Sequence, residues 1–391
     1  MTTSRGPIIV FGIAFLYPMA GVTWQVLHYL VGLRRLGWDP YYVEDSSRWV
    51  YDPAAGDFTP DPAGNVAAVV PALEEHGFGD RWACRARALD GRCYGLGEAR
   101  LRALYAEAAA MLNVTAAQEI HDEHRAIRHR LYVETDPVAT QIAVSEGDAK
   151  TVAELSAHDR LFTFGENLGA PDCGVPVERF AWQPTRQPVV LDFWRSAAAP
   201  PPDAPYTTIA TWRHQKDRVY RGETYYWSKE REFLKILDLP RRCPAPIELS
   251  LDIAPEAGEA GPLLTASGWR LAPATAISRD IHRYRAYVGA SRGEFTVAKD
   301  QNIRLRSGWF SDRSACYLAS GRPVITQDTG FGNILPTGRG LFAWQSAEDI
   351  VAAMETIAAD YPGHCRAARE IATEYFDAER VLASLLGRAG L

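Results

Sequence analysis

Apolar residues alternate along the chain between short continuous runs and longer segments with helical spacing. The run Ile8–Leu16 is typical of a buried strand, and Thr23–Leu36 repeats apolar residues every three or four positions, with Thr23 as its N-cap. Pro40–Val43 is predicted to form the next strand. A strand, a helix and a strand within this length form a βαβ unit, which implies a parallel sheet.

The second half of the chain repeats this alternation. Strands are predicted at Tyr206–Ala210 and Pro323–Thr326, and helices at Asp312–Ser320 and Ala347–Ala359. Between the halves, Ala197–Pro205 contains four prolines, which favour an extended linker because proline cannot continue a helix or an inner strand. We therefore predict an α/β protein of two Rossmann-like, doubly wound domains that face a cleft.

The linker sets the predicted boundaries. The first domain would span residues 1–196 and the second residues 206–360, with 197–205 as the linker. Parallel sheets of this kind bind ligands beyond the carboxyl ends of their strands, and a domain interface adds a cleft there. Candidate functional residues are therefore sought where the predicted strands end.

Composition and charge narrow the functional classes. The 391 residues include 42 Lys and Arg against 48 Asp and Glu, a net charge of −6, which does not favour nucleic-acid binding. Six scattered cysteines without a Cys-x-x-Cys pair are typical of free thiols in a cytoplasmic protein. The run Ile8–Leu16 is too short to span a bilayer, so no membrane span is expected.

Cofactor and metal signatures are weak. Gly12 and Gly21 are too far apart for the dinucleotide fingerprint, so a nicotinamide enzyme is disfavoured. His121 and His124 do not form the His-Glu-x-x-His zinc motif, and the charges around them are typical of a solvated helix face. We predict neither a metal nor a cofactor.

Two clusters in the second half have the chemistry of an anion site. Arg213 and Lys216 follow the first predicted strand and suit a diphosphate, although a solvated loop explains two such charges as well. Ser311, Asp312 and Arg313 open a helix, whose free N–H groups attract anions. Ser311 or Asp312 also suits a simple N-cap.

Three carboxylates near strand ends are further candidates. Glu294, beside a glycine, suits hydrogen bonding to sugar or ribose hydroxyls, or a turn before an edge strand. Asp136 and Glu166 follow predicted strands of the first half and are candidates for a catalytic general base. Turn formation and helix capping are the alternative roles for both.

Taken together, three segments resemble the GT-B glycosyltransferases, which have two Rossmann-like domains and bind a nucleotide-sugar mainly through the second. They are GVTW at the start of the first helix, the Arg213 and Lys216 pair, and YLASGRPVITQDTGF from residue 317. The resemblance also implies that helices in residues 361–391 pack back on the first domain.

The resemblance assigns these segments to three parts of a transferase site. The implied positions are an acceptor-side loop at Gly21, Val22 and Thr23, a donor diphosphate site at Arg213, Lys216, Ser311, Asp312 and Arg313, and a donor sugar site at Glu294, Asp328, Thr329 and Gly330. The nucleotide-sugar would be a co-substrate, and the acceptor is not identified.

One departure from the family pattern keeps alternatives open. Many retaining members carry two glutamates eight positions apart, where this chain has Gly308 and Cys316. We expect a cytoplasmic hexosyltransferase-like enzyme that moves a sugar from a nucleotide-sugar to an acceptor. A nucleotide-sugar epimerase and a non-catalytic auxiliary protein with the same fold are the alternatives.

Overall fold

The computed structural model describes most of the chain. The described residues are 5–87, 91–116, 118–195, 199–213, 217–252 and 258–391. Lys216 and residues 197–198 of the predicted linker lie outside them. Within the described residues, no helix is long and apolar enough to cross a membrane.

Most of the first-half strands form one sheet. In chain order the first-half strands are β1 (Pro7–Phe11), β2 (Asp39–Ser46), β3 (Val50–Asp52), β4 (Asp57–Thr59), β5 (Trp82–Ala86), β6 (Cys93–Gly95), β7 (Ala110–Val114), β8 (His129–Glu134), β9 (Arg160–Thr163) and β10 (Trp182–Pro184). The sheet order is β10-β9-β8-β7-β1-β2-β5-β6, parallel except for the edge strand β6. Strands β3 and β4 form a separate hairpin.

The second half forms a smaller, fully parallel sheet. Its strands are β11 (Tyr206–Thr211), β12 (Arg218–Tyr220), β13 (Glu223–Tyr225), β14 (Ile247–Asp252), β15 (Arg270–Pro273), β16 (Gly293–Thr296), β17 (Val324–Gln327) and β18 (Leu341–Trp344). The sheet order is β15-β14-β11-β16-β17-β18, and β12 and β13 form a separate two-stranded sheet. The two parallel sheets confirm the predicted α/β class with two doubly wound units.

Helices connect and cover the strands. They are α1 (Ala20–Arg35), α2 (Ala63–Glu75), α3 (Glu98–Glu107), α4 (Ala139–Ser145), α5 (Ala149–Ser156), α6 (Glu230–Lys235), α7 (Ala260–Ala266), α8 (Ala274–Ser278), α9 (Ile281–Ala290), α10 (Asp300–Arg304), α11 (Asp312–Ala319), α12 (Ala347–Ala359), α13 (Tyr361–Ile371) and α14 (Ala378–Ala389). The predicted helices at 312–320 and 347–359 are confirmed as α11 and α12.

The first βαβ unit is confirmed, but its strand and helix boundaries differ from the prediction. Strand β1 ends at Phe11 and not at Leu16, because the backbone N–H groups of Phe15 and Leu16 donate to the buried Glu44 carboxylate, at 2.5 and 2.9 Å. These groups therefore do not continue the sheet. Thr23 is not the N-cap, since α1 begins at Ala20 and the Thr23 hydroxyl donates back to the carbonyl of Met19 at 3.3 Å.

Helix α14 packs against α1 of the first half. A β-carbon on Gly32 of α1 would lie 2.6 Å from Leu382 Cδ1, so the glycine lets the two helices approach closely. The backbone of Val189 pairs with the turn before α14, accepting from Ala378 and donating to the Phe376 carbonyl at 3.0 and 2.7 Å. The end of the chain is thereby attached to the first half.

A second connection joins the segment before α11 to the first half. The N–H of Asn167 donates to the Ser307 carbonyl at 3.1 Å, and its side-chain amide donates to the Arg306 carbonyl at 2.9 Å. Gly308 lies beside this pair with a φ of +79°, and a β-carbon there would lie 2.4 Å from the backbone nitrogen of Asn167. The close approach therefore requires a glycine.

We expect Gly308→Ala to lower stability by about 3 kcal/mol, because alanine adds left-handed strain and a clash with backbone that cannot rotate away. Gly338→Ala is the matched control, since Gly338 has a φ of +93° but no atom of the described residues lies within 4 Å of the added carbon. Its loss should be about 1 kcal/mol. Thermal melting of both variants compares the two, and equal losses would contradict the proposed close approach.

Candidate functional site

A cavity of about 420 Å³ lies between the two halves. Its walls include Gly21 and Gln25 from the first turns of α1, Thr211 at the carboxyl end of β11, and Ser311 and Asp312 at the start of α11. The two helix starts thus meet the carboxyl end of a parallel strand, which is where ligands bind in doubly wound proteins.

A direct contact joins the two helix starts. The side-chain amide of Gln25 donates to the Asp312 carboxylate, with 3.1 Å between Nε2 and Oδ1. Burial raises the pKa of Asp312 to about 6, against the opposing effects of the Gln25 hydrogen bond and the Arg313 charge. A carboxyl with this pKa is mostly ionised at neutral pH and becomes protonated in mild acid.

Arg313 is held by the second sheet. Its Nε lies 2.5 Å from Glu294 Oε1, its Nη1 donates to the Ile209 carbonyl at 2.6 Å, and its Nη2 donates to the Thr296 hydroxyl at 2.9 Å. Glu294 is fully buried. Two residues predicted to bind the donor therefore bind each other, and the Glu294 carboxylate is not open to a sugar hydroxyl.

Two lysines and two tryptophans form another part of the cavity wall. Lys299 Nζ lies 3.7 Å from the centre of the Trp227 ring, and its ammonium pairs with Asp136. Lys229 Nζ lies 5.9 Å from the centre of the Trp309 ring, and the residue is buried with 9% of its surface exposed. No carboxylate oxygen of the described residues lies within 4.0 Å of Lys229 Nζ.

The Lys229 ammonium is therefore poorly compensated. Burial holds the pKa of Lys229 well below its usual value, and the nearby cations of Arg313 and Lys299 lower it further, against the weaker opposing charges of Glu294 and Asp136. A buried ammonium without a close partner is costly, and an anion that enters the cavity would remove that cost. Sequence analysis did not single out Lys229. The lysine two residues after Trp227 is the sequence feature that could have indicated a binding site here.

Comparison with known proteins rests on structure alone. No family model matches the sequence, and no curated protein matches it. Solved structures match over almost the whole chain. Sucrose-phosphate synthase from Thermosynechococcus elongatus is 13% identical, with 98% of each chain covered and a TM-score of 0.52. Anabaena HepE, crystallised with UDP and glucose, is 11% identical, with 98% of this chain and 100% of HepE covered and a TM-score of 0.55.

An α-glucosyltransferase in complex with UDP adds a third structure. It is 9% identical, with 99% of this chain and 100% of the glucosyltransferase covered, and the TM-score is 0.58. These proteins are glycosyltransferases with two Rossmann-like domains, in the arrangement called GT-B. This chain has the GT-B fold.

The cavity occupies the cleft of the GT-B fold, but the predicted basic pair is not found in its wall. Arg213 is 47% exposed and its Nε lies 2.6 Å from Glu230 Oε2. It is not among the residues that line the cavity. Lys216 lies outside the described residues. Among the described cations, Lys229, Lys299 and Arg313 line the cavity instead.

The predicted sugar-side segment lies behind the cavity wall. The Asp328 carboxylate accepts from Arg306 Nη1 and from the Gln345 amide, both at 3.0 Å. The N–H of Gly330 donates to the same carboxylate at 2.8 Å, and the Thr329 hydroxyl donates to the Trp309 carbonyl at 2.6 Å. None of Asp328, Thr329 and Gly330 lines the cavity, and the segment contacts the cavity wall through the bond from Thr329 to Trp309.

The first-half candidates also differ from the prediction in their placement. Gly21, Val22 and Thr23 lie in the first turn of α1 and not in a loop, and only Gly21 and Val22 line the cavity. Neither Asp136 nor Glu166 lines it. Asp136 is connected to the cavity wall through Lys299, and the Glu166 carboxylate lies 2.5 Å from Arg186 Nη2.

Cys316, at the position where many retaining GT-B glycosyltransferases carry the second of two glutamates, lies beside His28. Cys316 Sγ lies 3.9 Å from His28 Nε2, and both residues line the cavity. Burial raises the pKa of Cys316 well above its usual value and lowers the pKa of His28 to about 3. The thiol and the imidazole are therefore both uncharged at neutral pH, and neither replaces the missing glutamate.

We expect Glu294→Gln to lower stability by about 3 kcal/mol, because it leaves the Arg313 charge buried without its carboxylate. Glu223→Gln is the control, since the pair of Glu223 with Arg304 is exposed, and its loss should stay below about 1 kcal/mol. Thermal melting compares the two. Similar losses would show that the Glu294 pair does not hold α11 in place.

Proposed function

We propose that this protein is a hexosyltransferase-like glycosyltransferase that transfers a sugar from a nucleoside diphosphate sugar to an acceptor. The observation that carries the proposal is Lys229, a buried ammonium without a close carboxylate partner in the described residues, in the cleft of a GT-B fold. A donor diphosphate supplies the charge that this ammonium lacks.

The ammonium groups of Lys229 and Lys299, which both line the cavity, form the proposed diphosphate site. As the bond to the sugar breaks, negative charge grows on the diphosphate, and fixed cations then lower the barrier.

The similar structures indicate which nucleotide to test first. HepE was crystallised with UDP and glucose, and the α-glucosyltransferase was crystallised with UDP. We therefore infer a uridine diphosphate sugar as the donor. Another α-glucosyltransferase structure contains DNA with an abasic site, but a net charge of −6 does not favour DNA as the acceptor of this chain.

One observation favours a second candidate function. The neutral Cys316 and His28 pair leaves the cavity without the glutamate of many GT-B enzymes, which suits a non-catalytic auxiliary protein. Such a protein would show neither nucleotide affinity nor donor hydrolysis. An epimerase would convert the donor sugar and need no acceptor. Nucleotide binding and product analysis therefore separate the three functions.

We expect UDP to stabilise the protein in a thermal-shift assay and Lys229→Met to reduce UDP affinity about 10- to 100-fold. The reason is the loss of a charge-assisted contact worth about 1.5 to 3 kcal/mol. Lys299→Met should cost less, because Lys299 already pairs with Asp136. Without UDP, Lys229→Met should melt at the same or a higher temperature, since it removes a poorly compensated buried charge.

Lys235→Met is the matched control, because Lys235 is 62% exposed and pairs with Glu232 outside the cavity. It should leave UDP affinity unchanged. Arg213→Ala tests the predicted site at the end of β11. If UDP, TDP, GDP and ADP all fail to stabilise the protein, the donor site is refuted. If only Arg213→Ala weakens binding, the site lies around Arg213, outside the cavity, and not at Lys229.

UDP binding should also take up protons and weaken as pH rises. The pKa of Lys229 is lowered in the free protein, and a bound diphosphate favours the charged form, so the pKa rises on binding. Calorimetry in buffers of different ionisation enthalpy measures this uptake, at pH values well above the titration of Asp312 near 6. Lys229→Met should abolish the uptake. Its persistence in that variant would assign it to another group.

A further inference from the structure

We propose that Asp312 is the general base that removes the proton from the attacking hydroxyl, so that the reaction inverts the anomeric carbon. This inference rests on the proposed glycosyltransferase function and adds to it a residue and a stereochemical outcome. Asp312 lines the cavity at the point where the starts of α1 and α11 meet.

The Asp312 carboxylate is free of a cationic partner. Its side-chain contact in the described residues is the amide of Gln25, and no Lys, Arg or His nitrogen of those residues lies within 4.0 Å of it. The other acidic candidates are different. Asp136 is paired with Lys299, and Glu166 is paired with Arg186 outside the cavity. Burial raises the pKa of Glu166 against the opposing charge of Arg186, but neither Glu166 nor Asp136 lines the cavity, so neither is placed to reach an acceptor there.

The charges around Asp312 support this assignment. Burial raises the pKa of Asp312 to about 6, with a further small rise from Asp136, whereas Gln25 and Arg313 lower it. The other titratable neighbours are Tyr29 and Cys316, and burial raises the pKa of each well above its usual value, so both are neutral. A base with a pKa near the working pH combines a large ionised fraction with useful basicity.

The proposed reaction is a single displacement at the anomeric carbon. The proton of the acceptor hydroxyl passes to a carboxylate oxygen of Asp312 as the acceptor oxygen forms a bond to the anomeric carbon. On the opposite face, the bond from that carbon to the diphosphate oxygen breaks, and its electron pair leaves with the nucleoside diphosphate. Lys229 and Lys299 offset the charge of the leaving group. With water as the acceptor, the products are the free sugar and the nucleoside diphosphate.

Hydrolysis of UDP-glucose tests the proposal without knowledge of the acceptor. We expect the wild-type protein to release UDP slowly, with a kcat/KM that rises with pH through about 6 as Asp312 of the free protein ionises. Since UDP-glucose is an α-glucoside, the first glucose detected by NMR, before mutarotation, should be the β-anomer. Asp312→Asn should reduce UDP release by about 10²- to 10⁴-fold and remove this pH dependence.

Two measurements separate a base from a structural contact. UDP should still stabilise Asp312→Asn, and that variant should melt at the same or a higher temperature near neutral pH, because a carboxyl with a raised pKa costs stability once it ionises. Gln25→Leu keeps the carboxylate but removes a hydrogen bond that favours its ionised form. Its rate profile should therefore shift to higher pH.

Other outcomes would overturn the proposal. These are α-glucose as the first product, UDP release by Asp312→Asn at the wild-type rate, and a Gln25→Leu profile that does not shift. The proposal also fails if UDP stabilises the wild-type protein but no UDP is released from UDP-glucose. If UDP does not bind at all, the proposed donor site fails instead.

Discussion

The buried pair of Arg313 and Glu294 fixes the start of α11 against the second sheet. The guanidinium donates to a carboxylate and a hydroxyl of β16 and to a carbonyl of β11, so one side chain joins a helix to two neighbouring parallel strands. A buried arginine with three such contacts cannot move without leaving polar groups unpaired. The first turn of α11, with Ser311 and Asp312, is thereby held at the cavity.

This constraint determines which cations remain for a ligand. Because Arg313 is occupied by Glu294, the poorly compensated positive charge of the cavity lies on Lys229, with Lys299 shared between Asp136 and the cavity. Trp227 and Trp309 lie beside these ammonium groups and exclude part of the surrounding water. A charge interaction in such surroundings is stronger than in water, which suits a site that must stabilise a leaving diphosphate.

Sequence patterns predicted the fold well, because hydrophobic periodicity and proline placement are local properties. The βαβ unit at the start, the helix α11 and the helix α12 all follow from such patterns. The site was harder to predict, since its chemistry depends on pairing between distant residues. Nothing local shows that Glu294 is buried against Arg313, that Asp328 binds Arg306, or that Lys229 is enclosed.

The proposed base and the proposed diphosphate site depend on each other electrostatically. A diphosphate near Asp312 adds negative charge and so raises the pKa of that carboxyl, which would leave it protonated and inactive as a base at neutral pH. Positive charge from Lys229 and Lys299 offsets the diphosphate and limits this rise. The bound donor therefore has to favour the protonated form of Lys229 while Asp312 stays unprotonated. Both requirements are met most easily at a pH between the pKa of Asp312 and the pKa of the ligand-bound Lys229.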